Sequence, residues 1–443
     1  MVNMCNPTIL LCQLMCFGAR KSVTFFVTAD MPGFESLLLG EKTAVVFDIG
    51  SAYTKCGFAG EPGPRFILPT EIAQPNGRAR HLSSLKTAKE KRKFFITFFH
   101  NLYYRHLLVN PKDRRVVVVE SILGTTELRD IIADVLYNHF EIPSALFAPA
   151  HLVTLFTLGL STALVLDCGH SEAVVIPVSE GYTLLNSWQA DQLGSQAVYN
   201  NYAELLKKEA FVIDQNGNST AFAISPGNED LITINLLEDL TVRTCFVSPA
   251  SRAEEWQNWL IAEAAGEPVT APKVAEDYFE YPVSHGGYSK RLRIPSRLRE
   301  LSCECLFRGD NDQITLATLI LKSIQACPVD LRKPLAKNLV LTGGTVNLPG
   351  FAARLLEELD RSLDLADFTS LSALRGTFRI HQPPGEPNYI AWLGGAIFGA
   401  LECLPGRSLE RSVYLEKGFL PDWTTVIDTN PSNLTERPEL TRQ

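Results

Sequence analysis

The sequence lacks the excess of positive charge that binding to nucleic acid requires. Acidic residues number 49 and basic residues 41, which gives a formal net charge of −8. Proteins that bind DNA or an anionic membrane surface carry clustered basic residues. We therefore expect neither nucleic acid nor an anionic membrane as a main partner.

The ten cysteines include no closely spaced CxxC pair. Structural zinc sites usually draw their ligands from such pairs. The cysteines are instead scattered through apolar segments, which is typical of reduced, buried thiols. We expect no structural zinc site and a cytoplasmic location.

Few apolar stretches are candidates for a membrane segment. Residues 8–17 are apolar, but no basic residue precedes them as a secretory signal would require. Residues 145–166 are nearly uncharged, yet Pro149 and Gly159 interrupt them, and their composition changes from helical to β-rich. We predict a buried helix that leads into a strand, and no insertion into a membrane. Residues 1–40 share no pattern with the rest of the chain, and we predict a disordered extension there.

Two segments of the chain repeat one pattern. TAVVFDIG at 43–50 and TALVLDCG at 162–169 agree at five of eight positions, and each is an apolar run of strand length ending in Asp-x-Gly. A strand followed by a glycine turn presents backbone N–H groups to phosphate, and an Asp at its end can hold a divalent cation through water. A single Asp-Gly turn is commonplace. Two matched copies predict a split phosphate clamp formed by Asp48, Gly50, Asp167 and Gly169.

A third apolar strand also ends in a glycine turn. Its sequence is LVLTGGT, residues 339–345. Gly343 and Gly344, just before Thr345, allow the backbone to approach a base or a phosphate closely. Strand patterns alternate with helical ones along the chain, which predicts a mixed α/β fold.

These motifs make the chain similar to the superfamily of actin, Hsp70 and the sugar kinases, and within it to the actin-related proteins. Residues 45–65, VVFDIGSAYTKCGFAGEPGPR, resemble the first phosphate loop of actin and the strand after it, with Ser51 and Lys55 on matching positions. Residues 165–169 resemble the second phosphate loop, 327–351 the third nucleotide-contacting region and 383–401 the closing helix. The resemblance extends over about residues 41–418.

The resemblance implies an actin-like ATPase fold of the α/β class, with duplicated ribonuclease H-like domains around a nucleotide cleft. Residues 41–156 with 389–443 would form the first domain, and 157–388 the second, with an irregular lobe at about 210–300. The implied cofactor is ATP or ADP with Mg²⁺, beside Asp48 and Asp167. The residues expected to contact it are Asp48, Gly50, Ser51, Lys55, Asp167, Gly169, Gly343, Gly344 and Thr345.

Several positions depart from actin where hydrolysis and nucleoside binding are concerned. Ala150 stands where actin has its water-positioning glutamine, and Val174 where it has the histidine near the attacking water. His170-Ser171 replaces an Asp-Gly pair, and Thr241-Val242 replaces a Lys-Glu pair that contacts the nucleoside. Because hydrolysis in this fold depends on positioned water and stabilised charge, we expect no catalytic residues and a nucleotide that is structural.

Pro69 and Pro143 lie 74 positions apart, which is fewer than actin uses between the matching prolines. The resemblance places the missing part in the small pointed-end subdomain, which in actin inserts into the next filament subunit. Residues 104–121, 243–248 and 378–384 further resemble the pointed-end actin-related subunit of dynactin. This implies a non-catalytic cytoskeletal cap on the actin-related filament of dynactin. Its partners would be the filament subunits and other pointed-end subunits, with dynein as an indirect partner.

Two other functions stay open at this point. One is an ATPase that cycles between open and closed cleft states, as the kinases and chaperones of the superfamily do. The other is a chromatin-remodelling subunit, which only the basic run at 86–93 favours. We interpret that run as the solvated start of a helix over 85–107. One fold hosts many functions, so the fold alone does not decide among them.

Overall fold

A computed structural model describes residues 42–74, 79–224, 231–268, 270–274, 276–285, 288–309 and 314–421. The predicted extension at residues 1–40 lies outside the described residues. The described part contains two large mixed sheets, a four-stranded antiparallel sheet and a small two-stranded one.

The strands lie between residues 45 and 410. They are β1 (Val45–Ile49), β2 (Tyr53–Phe58), β3 (Phe66–Pro69), β4 (Glu71–Ala73), β5 (Ala79–His81), β6 (Val116–Glu120), β7 (Ser144–Pro149), β8 (Ala163–Cys168), β9 (Ala173–Ser179), β10 (Tyr182–Thr183), β11 (Gln189–Asp191), β12 (Phe211–Ile213), β13 (Ser219–Ala221), β14 (Tyr278–His285), β15 (Tyr288–Pro295), β16 (Leu339–Thr342), β17 (Ile380–His381) and β18 (Leu409–Glu410).

The α-helices alternate with these strands. They are α1 (Ala88–Asn101), α2 (Thr126–Asp134), α3 (Ala150–Phe156), α4 (Ser195–Glu209), α5 (Ile234–Thr244), α6 (Ala250–Ala264), α7 (Leu298–Leu301), α8 (Leu316–Ala326), α9 (Val329–Lys337), α10 (Phe351–Ser362), α11 (Ile390–Gly399), α12 (Leu404–Arg407) and α13 (Arg411–Lys417). The predicted helix over 85–107 corresponds to α1, which continues as a π-helical turn over Leu102–Leu107.

The two large sheets share one topology. The first has the order β18-β7-β6-β1-β2-β3, and the second has the order β10-β9-β8-β16-β17. In the first, β1 runs antiparallel to β2 and parallel to β6, which runs parallel to β7. In the second, β8 runs antiparallel to β9 and parallel to β16, which runs parallel to β17. The duplication seen in the Asp-x-Gly segments therefore extends to whole sheets, and the predicted duplicated α/β fold is confirmed.

The first sheet is buried on both faces. Val45 and Phe47 of β1 belong to the core that contains α1 and α2, whereas Val46 belongs to the core that contains α11. Trp392 of α11 is fully buried and donates from its indole Nε1 to the carbonyl oxygen of Val46 at 3.1 Å. Successive side chains on a strand point to opposite faces, which explains why the unbroken apolar run of β1 packs on two layers.

The chain passes between the two large sheets through α3 and α11, which cross each other closely. Helix α3 joins β7 to β8, and α11 lies between β17 and β18. At the crossing, a Cβ on Gly394 would lie 1.9 Å from the carbonyl oxygen of Val153. Only glycine allows this approach of two helix backbones. Helices α3 and α11, which stand where the chain passes between the halves, are therefore in tight contact.

The lobe at about 210–300 is more regular than the sequence predicts. Strands β12 to β15 form a four-stranded sheet in the order β13-β12-β15-β14, and His285 and Tyr288, which bound the predicted loop, pair with each other across β14 and β15. Along β15, Leu292 and Ile294 are buried while Arg291 and Arg293 are exposed. This two-residue period marks a half-buried strand. The intervening charged residues lower its apolar content, and so the sequence interpretation missed it.

A small hairpin occupies the place where the sequence predicts a reduced pointed-end subdomain. Strands β4 and β5 pair between Glu71 and His81, and a 3-10 turn follows over Leu82–Ser84. Helix α1 begins directly afterwards, with Thr87 as its N-cap and a capping box to Glu90. Among the described residues, the strands that the first half contributes to this region are therefore only three residues long.

The cysteines in the described residues are free thiols. Five are buried (Cys56, Cys168, Cys245, Cys303, Cys327), and two are half-buried (Cys305, Cys403). In the part of the chain that the structure describes, no helix is both long and apolar enough to cross a membrane.

Candidate functional site

The two Asp-x-Gly turns stand at equivalent places in the two large sheets. Asp48 is the next-to-last residue of β1 and Asp167 the next-to-last residue of β8. In the antiparallel pairs, Asp48 lies opposite Lys55 of β2, and Asp167 lies opposite Val174 of β9. On its other side Asp167 has Thr342 of β16. The predicted site residues of both copies thus lie at matching strand ends.

The first turn joins a carboxylate to a lysine. Residues directly opposite on antiparallel strands have neighbouring side chains, and Lys55 Nζ lies 3.1 Å from Asp48 Oδ2. Both side chains are only 16% exposed. The Gly50 N–H donates to the carbonyl oxygen of Tyr53 at 3.0 Å, and a Cβ on Gly50 would lie 2.7 Å from that oxygen. Glycine is therefore required by the turn itself.

The second turn lies close enough to the first for the two to interact. Burial, followed by the charge of Asp48, raises the pKa of Asp167 to about 6, and the charge of Lys55 opposes this rise. The hydroxyl oxygens of Ser51 and Ser171 are 3.1 Å apart. The structure therefore brings the two predicted carboxylates, the lysine and both loops to one place.

The third turn packs closely against the second. The Thr345 side chain is buried, and its hydroxyl donates to the carbonyl oxygen of Gly169 at 2.6 Å. Gly343 has φ of 97°, and a Cβ there would lie 2.2 Å from the carbonyl oxygen of Cys168. These two residues hold the third turn against the second. A Cβ on Gly344 would meet nothing within 4 Å, so no protein atom crowds this position.

The replaced pair in the second turn is tied to the start of α4. His170 Nδ1 lies 2.9 Å from Ser195 Oγ, and the carbonyl oxygens of Gly169 and His170 accept from the N–H groups of Ser195 and Gln196. Gly194 permits this packing, since a Cβ there would lie 2.3 Å from the carbonyl oxygen of His170. Burial lowers the pKa of His170. A neutral ring thus stands where the resemblance to actin predicts a carboxylate.

The two positions that the resemblance to actin matches to its water-orienting groups carry no polar side-chain atom. Ala150 is the first residue of α3, and Val174 lies buried opposite Asp167. Neither residue can orient an attacking water, because both side chains are purely aliphatic.

Residues at the phosphate end fit a polyphosphate bound with a divalent cation. Lys55 would supply a positive charge to the phosphates and Asp48 and Asp167 would supply oxygen ligands to the cation, while no protein atom crowds Gly344. The described residues contain no group of three or more His, Cys, Asp and Glu side chains arranged for a metal. The fit is poorer where the resemblance to actin would place the nucleoside, because Val242 there is 73% exposed and offers no polar group.

The sequence interpretation missed one direct bond between the halves. The Tyr53 hydroxyl donates to Glu238 Oε1 at 2.6 Å, which joins β2 to α5. Tyr53 directly follows the first phosphate loop, which is a local signal that it faces the cleft. Its partner is 185 residues away, and no local pattern points to it.

The basic run at 86–93, which covers the start of α1, is partly neutralised. Lys91 forms an ion pair with Glu127, and Arg92 forms one with Asp134 at 2.6 Å. This arrangement agrees with a solvated helix start.

Comparison with known proteins agrees with the duplicated fold. Residues 39–420 match the Actin family. The chain is 27% identical to Actin-related protein 10 of Dictyostelium discoideum, over 91% of this chain and 93% of that protein. It is 25% identical to Actin-related protein 2 of Arabidopsis thaliana, over 86% of this chain and 98% of that protein. The family match covers most of the sequence and includes all three glycine turns, so this chain belongs to the actin family.

Proposed function

We propose that the chain is a non-catalytic actin-related subunit of dynactin that caps the pointed end of its actin-related filament. In this role it would support dynein-driven transport along microtubules, in the cytoplasm and on the cytoskeleton. Its direct partners would be the filament subunits and other pointed-end subunits. The similarity to Actin-related protein 10 of Dictyostelium discoideum supports the assignment.

The observation that carries the proposal is the small β4–β5 hairpin. In actin the corresponding subdomain inserts into the next filament subunit. Here the chain passes from Pro69 at the end of β3 to Ala88 at the start of α1 with only two three-residue strands and a short turn among the described residues. A subunit of this shape docks by its opposite end and offers no such surface for further addition.

The absence of turnover rests on Ala150 and Val174. Positioning and electrostatic stabilisation provide most of the rate in phosphoryl transfer. With aliphatic side chains at both water-facing positions, bound nucleotide would persist. ATP or ADP with Mg²⁺ would then act as a structural ligand, since any ligand that binds only the folded state stabilises it by mass action.

Affinity purification of the full chain from cells, followed by identification of the chains that accompany it, tests the assignment to dynactin. We expect the filament subunits and the other pointed-end subunits of dynactin. Recovery of the intact chain without any dynactin subunit would overturn the proposal. A second test adds the purified chain to growing actin-related filaments, where pointed-end growth should stop and continued growth would exclude capping.

Turnover and binding are tested separately on the purified chain. We expect no ATP hydrolysis above the background of the Asp167→Ala variant, and a rise in melting temperature with ATP and Mg²⁺. Hydrolysis that Asp167→Ala abolishes would instead identify an ATPase. No shift in melting temperature, together with no nucleotide released on denaturation, would exclude the structural ligand.

A further inference from the structure

The two halves of the molecule are joined across the cleft at Tyr53 and Glu238. The Tyr53 hydroxyl and Glu238 Oε1 are 2.6 Å apart, and the pair is partly buried. Tyr53 belongs to β2 of the first large sheet. Glu238 belongs to α5, whose Leu237 and Leu240 share a core with β8 of the second sheet. A short hydrogen bond to a carboxylate is among the stronger polar contacts in proteins.

Each end of this bond is fixed to its own half. Tyr53 pairs with Pro69 across the β2–β3 ladder, and its carbonyl oxygen accepts from the Gly50 N–H. On the other side, the residue after Glu238 is Asp239, which accepts hydrogen bonds from Tyr281 of β14 and from Arg243. Separation of the halves therefore has to break the Tyr53–Glu238 bond, because neither side chain can follow its partner.

The chemistry of the pair keeps the bond formed at neutral pH. Burial, followed by the hydrogen bond to Glu238 and its charge, raises the pKa of the Tyr53 phenol. Tyr199 and Glu71 are the other ionisable groups that act on this phenol, and both also raise its pKa. The hydroxyl therefore remains a protonated donor facing an acceptor carboxylate.

We propose that Tyr53 and Glu238 form a latch that holds the two halves together across the cleft without bound nucleotide. The inference rests on the proposed function, since a cap that does not turn over nucleotide needs a fixed relation between its halves. The chain passes between the halves beside the α3–α11 crossing, and a contact away from that place restricts rotation about it. The contact between Ser51 and Ser171 adds a third point of attachment.

Hydrogen–deuterium exchange of the full chain, measured without nucleotide and with ATP and Mg²⁺, tests the latch. Tyr53→Phe removes a single oxygen atom, Glu238→Ala removes the acceptor, and Glu238→Gln keeps an acceptor oxygen. Tyr104→Phe is the matched control, since it removes the hydroxyl of a tyrosine that is 46% exposed.

Without nucleotide we expect exchange in residues 49–56 and 233–241 to rise about tenfold in Tyr53→Phe and in Glu238→Ala, as loss of a hydrogen bond to a charged group implies. The double variant should exchange no faster than either single one, because both remove the same bond. Glu238→Gln should retain most of the protection. ATP with Mg²⁺ should slow exchange more in Tyr53→Phe than in the unmodified chain.

Equal exchange in Tyr53→Phe and Tyr104→Phe would overturn the latch, and so would additive effects in the double variant. These outcomes are distinct from failure of the proposed function. Loss of dynactin subunits from purifications of the unmodified chain would contradict the assignment to dynactin. Unchanged exchange in Tyr53→Phe, with those subunits still recovered, would contradict the latch alone.

Discussion

Asp48 and Asp167 occupy equivalent strand ends in two sheets of the same topology, but only Asp48 lies opposite a cation. The residue across the antiparallel pair is Lys55 in the first sheet and Val174 in the second. Lys55 forms a 3.1 Å ion pair with Asp48, while burial and the nearby Asp48 raise the pKa of Asp167 to about 6. One lysine therefore serves a site with two carboxylates.

Replacement of this lysine should destabilise the fold. Lys55→Met leaves Asp48 without its cation beside Asp167, and we expect a loss of about 1–3 kcal/mol in the free energy of unfolding, measured with urea at neutral pH. Asp48→Asn in the same chain should restore part of this loss. Lys112→Met is the control, since its pair with Glu141 is exposed and should contribute less than about 1 kcal/mol. Equal effects of the two lysine variants would contradict this account.

His151 should make the fold sensitive to acid. It is 2% exposed, and burial lowers its pKa to about 3 from an ordinary value of 6.5. Between these two pKa values the unfolded chain binds a proton at this histidine and the folded chain does not. The fold therefore has its full stability above pH 6.5 and loses stability as the pH falls toward 3. The loss has a slope of about 1.4 kcal/mol per pH unit.

The test compares unfolding free energies from about pH 7.5 to about pH 4.5, a range that lies mostly between the two pKa values. His151→Gln should reduce the slope of unfolding free energy against pH by the contribution of one proton. His100→Gln, at an exposed position of α1, serves as the control. Parallel pH profiles for the unmodified chain and His151→Gln would contradict the prediction.

Arg354 should be indispensable to the junction between the lobe and the second sheet. The residue is 4% exposed, and its guanidinium contacts Glu304, Glu358 and the carbonyl oxygen of Ser248 at 2.7–3.0 Å. Arg354→Met leaves two carboxylates without their cation, and we expect a loss of about 3–5 kcal/mol in unfolding free energy.

Arg361→Met, from an exposed ion pair on the same helix, provides the comparison for Arg354→Met. It should cost less than about 1 kcal/mol in urea unfolding. Similar losses for the two arginines would show that the buried network contributes little.

The crossing of α3 and α11 should tolerate no side chain at Gly394. A Cβ there would lie 1.9 Å from the carbonyl oxygen of Val153, so the helices would have to move apart. We expect Gly394→Ala to cost about 3 kcal/mol or more in thermal or urea unfolding. Gly406→Ala, where a Cβ would meet nothing within 4 Å, should leave stability nearly unchanged. A folded Gly394→Ala variant of normal stability would refute the close crossing.

The strands and turns around the candidate site were predictable because their signals are local. Apolar runs that end in Asp-x-Gly placed β1 and β8, and TGGT placed the end of β16, each within a few residues. The roles within the third turn were not predictable in the same way. Whether the Thr345 side chain faces a ligand or Gly169 depends on how two distant strands pack. In the structure the Thr345 hydroxyl donates to the carbonyl oxygen of Gly169.

The lobe shows the opposite case. Its strands β14 and β15 pair over their full length, and in β15 buried residues alternate with exposed arginines. This weak pattern becomes clear only once the strands pair. Strand formation depends on cross-strand packing more than on local preference, so a single segment carries little of the signal.

The sequence was enough to identify the duplicated strand-and-turn motifs, the missing pointed-end segment and the aliphatic residues at Ala150 and Val174, because each depends only on the order and number of residues along the chain. Three features depended on the tertiary structure. They are the ion pair of Lys55 with Asp48, the glycines at close backbone contacts and the hydrogen bond from Tyr53 to Glu238. Those features join residues that are far apart in the chain, and only packing of the two sheets and the lobe brings their atoms within bonding distance.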